Sequence, residues 1–102
     1  MGMTLRETLQ LTVAALMQAT GDSQNELAVA LGLQQTQVSR RQAGRTAWTL
    51  DDCDALAVHF RIPVLDLLAG PSRACEVLPA DRRRPGPRPR AGTTRAREGA
   101  QQ

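Results

Sequence analysis

The sequence predicts an all-α domain followed by a disordered tail, and three observations support this fold class. Apolar residues recur at spacings of three and four over much of the first 70 residues, which is the period of a one-sided helix. Two capping patterns that begin with Ser or Thr precede such stretches. One Phe, one Trp and no Tyr leave the core to aliphatic residues, whereas strand-rich domains use aromatic and β-branched ones.

The first two predicted helices are separated by a glycine. The apolar face of the first helix consists of Leu5, Leu9, Val13 and Leu16. Gly21 then ends it, because glycine readily takes the left-handed conformation of a helix C-terminus. The second helix begins at a capping box, in which the Ser23 hydroxyl can accept from the Glu26 amide while the Glu26 side chain reaches back. Its apolar side carries Leu27, Ala28 and Leu31, and Gly32 follows as its end.

Three further helices complete the predicted domain. The third covers about Gln35 to Gln42, with Val38 inward and Gly44 after it. Thr49, with Asp52 three residues on, caps the fourth. The apolar stripe of the fourth helix contains Leu50, Cys53, Leu56, Ala57 and Phe60. Pro63 suits the first turn of a short fifth helix that ends at Ala69-Gly70.

Residues 71–102 are predicted to form an Arg/Pro-rich tail, which limits the domain to residues 1–70. Five of the six prolines lie in the tail, and the stretch 82–90 contains no apolar residue. Such a segment cannot bury enough surface to offset its ordering entropy. We expect disorder over 79–102, and one or two helical turns over 72–78 if that stretch docks. All 13 basic residues are Arg, and eight of them lie in the tail against three acidic residues.

Cysteine, histidine and apolar content argue against several function classes. Cys53, Cys75 and His59 are too few and too scattered for a zinc site or a catalytic set, so we expect no metal, no cofactor and no enzyme. Cys53 is expected in the core and His59 at the surface. The longest apolar run, at 13–17, has five residues, whereas a membrane span needs about twenty. We therefore expect no membrane association and a cytoplasmic location, where both thiols would be reduced.

The join between the second and third helices has the steric pattern of a helix-turn-helix. The small Ala28 lets the third helix cross closely over the second, and Gly32 supplies the tight turn. Leu31 and Val38 pack where the two helices meet. In this motif the second of the two helices enters the DNA major groove. The outward side of the third helix is polar and has no acidic residue, and it consists of Gln35, Thr36, Ser39 and Arg40.

The sequence resembles the lambda-repressor-like, Xre-type family of DNA-binding domains over most of residues 1–70. The resemblance is carried by the order and spacing of Ser23-Gln24-Asn25-Glu26-Leu27-Ala28, Leu31-Gly32-Leu33, Val38-Ser39-Arg40, Gly44-Arg45, Thr49-Leu50, Leu56-Ala57 and Leu67-Leu68. It implies a five-helix lambda-repressor-like domain with a helix-turn-helix. Arg41 departs from the family pattern, which usually has an apolar or aromatic residue there. Arg61 also departs from it, because a Gly commonly ends the fourth helix in this family.

The resemblance implies a set of DNA contacts on the second and third helices and the loop after them. Gln24 matches the family's phosphate-binding position at the start of the second helix. The base-reading positions match Gln35, Thr36 and Arg40, whose side chains suit adenine, the thymine methyl and guanine respectively. The positions that grip the DNA backbone match Gln34, Gln37, Arg45 and Thr46. Arg41 is expected to lay its stem across the core edge and send its guanidinium to a phosphate.

The function predicted from these features is sequence-specific regulation of transcription. Repression is the simpler mechanism, because a small domain can repress a gene by occupying its promoter. The expected partners are double-stranded DNA and a second copy of the chain, with inverted half-sites about 10 bp apart. One alternative is an antitoxin whose tail neutralises a toxin while the domain represses the shared operon. Another is a nonspecific nucleic-acid binder that acts through the Arg tail alone. The tail could also be a solubilising extension, a minor-groove arm, or a segment that folds on a protein partner.

Overall fold

The computed structural model describes residues 2–84, and in that range the chain forms six α-helices and no β-strand. The all-α prediction is therefore confirmed, with one helix more than expected. The helices are α1 (Leu5–Thr20), α2 (Gln24–Leu31), α3 (Gln35–Gln42), α4 (Leu50–Phe60), α5 (Val64–Leu68) and α6 (Pro71–Val77), and a 3-10 turn follows at Ala80–Arg82. The disorder expected for 85–102 concerns residues outside the described range.

The long helix α1 begins at a capping box. The Thr4 hydroxyl accepts from the Glu7 amide at 3.1 Å, and Glu7 Oε1 accepts from the Thr4 amide at 2.9 Å. The buried face of the helix consists of Leu9, Thr12, Val13, Leu16 and Met17. Leu5, which the spacing assigned to this face, is 57% exposed because the first turn extends beyond the core. Gly21 ends α1 in the left-handed conformation, with φ of 80°.

The second and third helices pack against each other around a short turn. The predicted capping box at the start of α2 is present, since the Ser23 hydroxyl accepts from the Glu26 amide and Glu26 Oε1 accepts from the Ser23 amide. Gly32 takes φ of 70° and ends α2. The interior side of the pair is formed by Leu27, Ala28 and Val38, all at most 2% exposed. The positions of Ala28, Gly32 and Val38 therefore agree with those that the sequence assigned to them.

The fourth helix begins and ends as its sequence indicates, except for one strained residue. Thr49 and Asp52 cap its start, with their reciprocal hydrogen bonds at 3.0 and 2.9 Å. Its buried residues include Cys53, Leu56, Ala57 and Phe60, whereas Leu50 is 81% exposed. Arg61 ends α4 at φ of 60°, a left-handed conformation that costs a residue with a Cβ about 1 kcal/mol.

The predicted domain boundary at residue 70 lies too early, because residues 71–78 pack into the core. α6 lies against α1 and α5, and Ala74 and Leu78 are 0% and 4% exposed. Gly70 precedes the helix at φ of 120° and Pro71 opens it. A seven-residue helix is unstable alone. It forms here because docking on α1 buries apolar surface, which is the condition on which helical turns over 72–78 were predicted.

Overpacking at Ala74 tests this docking. Ala74→Leu is expected to lower the free energy of unfolding by about 2 kcal/mol, because a fully buried alanine leaves no room for extra methylenes. The measurement is urea denaturation followed by far-ultraviolet circular dichroism. Ser72→Leu, at an exposed position of the same helix, is the control and should change stability by less than about 0.5 kcal/mol. Equal stabilities for the two variants would show that α6 does not dock.

Residues 79–84, here named the C-terminal strap, cross the ends of α4 and α1. Arg61 donates to Asp81 at 2.6 Å, and this hydrogen bond lowers the pKa of the Asp81 carboxyl. The Arg82 guanidinium donates to the His59 carbonyl at 3.2 Å and lies over the Phe60 ring. Disorder had been expected from residue 79 onward. That expectation is wrong for 79–84, because long-range polar contacts order the strap although it has no large aliphatic or aromatic side chain after Leu78.

Candidate nucleic-acid interface

The exposed side of α3 is built on one buried valine. Val38 is completely buried, so the helix has a fixed inner side. The side chains on its outer side are exposed, and they are Gln35, Thr36, Ser39 and Arg40. Within residues 2–84 none of these four side chains makes a hydrogen bond or an ion pair. Their polar groups therefore point to solvent from a rigid helix, as the sequence indicates.

The start of α3 uses Gln37 as part of its cap. Gln37 Oε1 accepts from the Gln34 amide at 2.8 Å, which satisfies one of the free N–H groups of the first turn. Both side chains are exposed beside Gln35. The Gln37 side chain keeps its amide donors for an external partner, while its oxygen fixes the helix start.

The loop after α3 turns back over the last turn of that helix. Gly44 takes φ of 79°, and the Arg45 and Thr46 amides both donate to the Arg40 carbonyl, at 2.9 and 3.4 Å. The Arg45 and Thr46 side chains are exposed. These hydrogen bonds hold Arg45 close to the end of α3 that carries Arg40, as the predicted site requires.

A glutamine pair connects the start of α2 with the end of α3. Gln24 Nε2 donates to Gln42 Oε1 at 2.8 Å. The Gln24 side chain is therefore half-buried and oriented by an internal partner. The sequence suggested Gln24 as a contact residue but gave no sign of Gln42 as its partner, because the two are 18 positions apart.

Arg41 is not part of the exposed face, which contradicts the prediction that its guanidinium reaches a phosphate. Arg41 Nε donates to Asp52 Oδ2 at 2.8 Å, and both side chains are 11% exposed. The guanidinium also lies 5.9 Å from the centre of the Trp48 ring. Trp48 is buried beneath the loop. A buried carboxylate at the start of α4 attracts Arg41 inward, so it joins α3 to α4 instead of facing solvent.

Loss of this ion pair should destabilise the fold. Arg41→Ala leaves the Asp52 carboxylate buried without its cation, which is expected to lower the free energy of unfolding by about 3 kcal/mol. Urea denaturation measures the change. Arg45→Ala removes the same charge from an exposed position and should cost less than about 0.5 kcal/mol. A similar, small loss in both variants would contradict the structural role assigned to Arg41.

Arg6 belongs to the candidate site and was missed from the sequence. Its guanidinium donates to the Gly44 carbonyl at 2.7 Å, beside Arg45. One turn later on α1, Gln10 Nε2 donates to the Gln42 carbonyl at 2.8 Å. The spacing of Arg6 and Gln10 places them on one side of a helix, but only the folded arrangement shows which loop that side meets.

Charge divides the described surface into two sides. No acidic residue occurs between Glu26 and Asp51, and with Arg41 paired internally the cations around α3 are Arg6, Arg40 and Arg45. Asp51 and Asp54 instead line a groove on α4. The surface around α3 is therefore cationic, whereas the groove on α4 includes acidic side chains.

His59 and Cys53 have structural environments. His59 was expected at the surface, but it is half-buried and its Nε2 lies 2.7 Å from Asp22 Oδ2. Cys53 is buried as predicted, and burial, with the nearby Asp52 and Asp54, raises the pKa of its thiol. No group of three or more His, Cys, Asp or Glu side chains in residues 2–84 is arranged to hold a metal. In the same range no helix has the length and hydropathy to cross a membrane.

Comparison with known proteins adds no family to this geometry. No family model matches the sequence, and no curated protein or solved structure is significantly similar to it. The resemblance drawn from the residues therefore stays a prediction. The chemistry available to the site follows from its own exposed groups: three amides (Gln34, Gln35 and Gln37), two hydroxyls and a guanidinium on α3 and its start, with further guanidinium groups at Arg6 and Arg45.

Proposed function

We propose that this chain is an Xre-type helix-turn-helix regulator that binds a specific DNA sequence through α3. The observation that carries the proposal is the exposed side of α3, where Gln35, Thr36 and Arg40 have no partner inside residues 2–84 while Val38 behind them is completely buried. Polar groups held in this way do not have to break internal hydrogen bonds before they pair with a base edge. The side chains are also the types that discriminate bases in the major groove.

The dimensions of α3 fit a major groove. An α-helix with its side chains is about 10–12 Å across, which matches the width of about 12 Å of the B-DNA major groove. The eight residues of α3 extend for about 12 Å at about 1.5 Å per residue. Gln35 can pair with adenine through two hydrogen bonds, and Arg40 can pair with guanine in the same way. Thr36 offers a methyl group to thymine, and Ser39 a hydroxyl to either strand.

Groups around α3 are suited to the DNA backbone. Arg45 and Thr46 are held beside the end of α3 by hydrogen bonds to the Arg40 carbonyl, and Arg6 is anchored next to them on Gly44. Gln34 and Gln37 lie exposed at the other end of α3. Contacts of this kind set the position of the protein on the duplex and make its affinity depend on salt.

Repression by promoter occupancy is the proposed mode of action, in the cytoplasm and on the nucleoid when DNA is bound. A homodimer on an inverted repeat is part of the proposal, because one α3 reads only a few base pairs. An apolar patch supports self-association: Leu5 and Leu50 are 57% and 81% exposed at a groove that Leu68 also lines. A second copy covering this patch would remove it from water.

Selection from a random-sequence DNA library at about 0.15 M salt tests the proposal. The full chain is expected to enrich one inverted-repeat motif with half-sites about 10 bp apart. Sedimentation on the selected duplex should then show two chains per site. Failure to enrich any motif would overturn sequence-specific binding, and one chain per site would overturn the dimer.

A further inference from the structure

We propose that Arg84, at the end of the C-terminal strap, contacts a DNA phosphate beside Gln24 and so extends the interface beyond the helix pair. This inference rests on the proposed function and assigns a contact to one residue, whereas the sequence suggested nucleic-acid binding only for the Arg tail as a whole. Its basis is the route of the strap, which brings residue 84 back to the loop that precedes α2.

Two contacts hold Arg84 at that loop. Its amide donates to the Ala19 carbonyl at 2.8 Å, near the end of α1. Its side chain crosses Gly21 so closely that a Cβ on that glycine would lie 3.0 Å from Arg84 Cδ. Gly21 thus ends α1 and also leaves room for the arginine. The position of Arg84 is therefore defined by the fold.

Arg84 faces the same side of the molecule as the glutamine pair. A surface depression is lined by Arg84, Gly21, Gln24 and Gln42, and Gln24 is the residue that matches the family's phosphate-binding position. Arg84 is exposed, and no acidic side chain within residues 2–84 pairs with it. An exposed guanidinium without a carboxylate partner is well suited to a phosphate oxygen.

The strap also reduces the negative charge next to this position. Asp22 lines the depression and would repel a phosphate, but its Oδ2 lies 2.7 Å from His59 Nε2 and 3.6 Å from the Arg82 guanidinium. Glu26, the other acidic residue nearby, accepts from the Ser23 amide. The strap therefore acts in two ways. Arg82 offsets the negative charge of Asp22, and Arg84 supplies a positive charge for the phosphate.

Arg83 provides a matched control. Its guanidinium donates to the Cys75 carbonyl, at the end of α6, and so is committed to a different part of the fold from its neighbour. Arg83→Gln and Arg84→Gln remove the same charge one position apart. If only the net charge matters, both variants should lose the same amount of DNA affinity. If Arg84 contacts a phosphate, only Arg84→Gln should lose affinity.

The experiment measures dissociation constants of the full chain on the selected duplex over a series of salt concentrations. Arg84→Gln is expected to reduce the slope of log K against log salt by about 0.9, the value for one phosphate contact. The affinity at about 0.15 M salt should fall several-fold, and Arg84→Lys should restore the slope. Arg83→Gln should keep the wild-type slope, and all three variants should enrich the wild-type motif.

Equal slopes for the wild type and Arg84→Gln, or equal losses in the Arg83 and Arg84 variants, would overturn the inference. Neither result affects the proposed function, because the enriched motif is read by α3. The proposed function fails on a separate outcome, namely that the wild-type chain enriches no motif.

Discussion

Replacing Gln35 and Arg40 together with Ala is expected to lower the affinity for the selected DNA sequence by about 100-fold or more. Each bidentate base contact contributes about 1–3 kcal/mol of discrimination, and every 1.4 kcal/mol is about a tenfold change in affinity. Affinity for unrelated DNA should fall much less, because Arg6, Arg45 and the exposed glutamines at the start of α3 remain. Titration of both duplexes by fluorescence anisotropy measures the two affinities.

The fold should survive this double change, since both side chains are exposed and have no partner within residues 2–84. Arg73→Ala is a suitable control, because Arg73 is an exposed arginine on α6 that pairs with Asp66 and Glu76. It should bind both duplexes like the wild type. If the double variant still bound the selected sequence with wild-type preference, α3 would not read bases. The reading of bases would then have to be assigned to another part of the chain.

Phe60→Ala is expected to lower the free energy of unfolding by about 4 kcal/mol. Phe60 is the largest completely buried side chain in residues 2–84. Its ring packs edge to face with His59, with centroids 4.8 Å apart, and Arg82 of the strap lies over it. Truncation leaves a cavity at the point where α4 meets the strap. Small domains have total stabilities of about 5–15 kcal/mol, so this loss would remove between about a quarter and four fifths of the total.

Urea denaturation monitored by Trp48 fluorescence and by circular dichroism measures this loss. Val58→Ala on the same helix is the control, since Val58 is 76% exposed and should change stability by less than about 0.5 kcal/mol. A loss below about 1 kcal/mol for Phe60→Ala would mean that the end of α4 repacks easily, and the core described around it would be incorrect.

Local signals predicted most of the fold because they act over a few residues. The Ser23 and Thr49 caps, the turn at Gly32 and the inward Val38 depend on neighbours within one or two helical turns, so the sequence displays them directly. The exposed side of α3 follows from the same periodicity, since fixing Val38 inward leaves Gln35 and Arg40 outward.

Contacts between distant positions could not be predicted in this way. Arg41 lies inward because Asp52, eleven positions later, is buried beside it. Arg6 reaches a carbonyl 38 positions away, and α6 forms because α1 offers it an apolar surface. Each of these contacts depends on how the helices are arranged in space. The local sequence around an arginine or a short, weakly helical stretch is the same whether or not a distant residue contacts it in the fold.

The packing of α6 against α1 has a consequence for the order of folding. The two helices are separated by the whole intervening chain, so their contact has high contact order and forms after the local pair of α2 and α3. At a synthesis rate of about 5–20 residues per second, roughly 3–11 s pass between completion of the first helix and completion of the sixth. During that interval the side of α1 that α6 will cover stays open to solvent or to a chaperone.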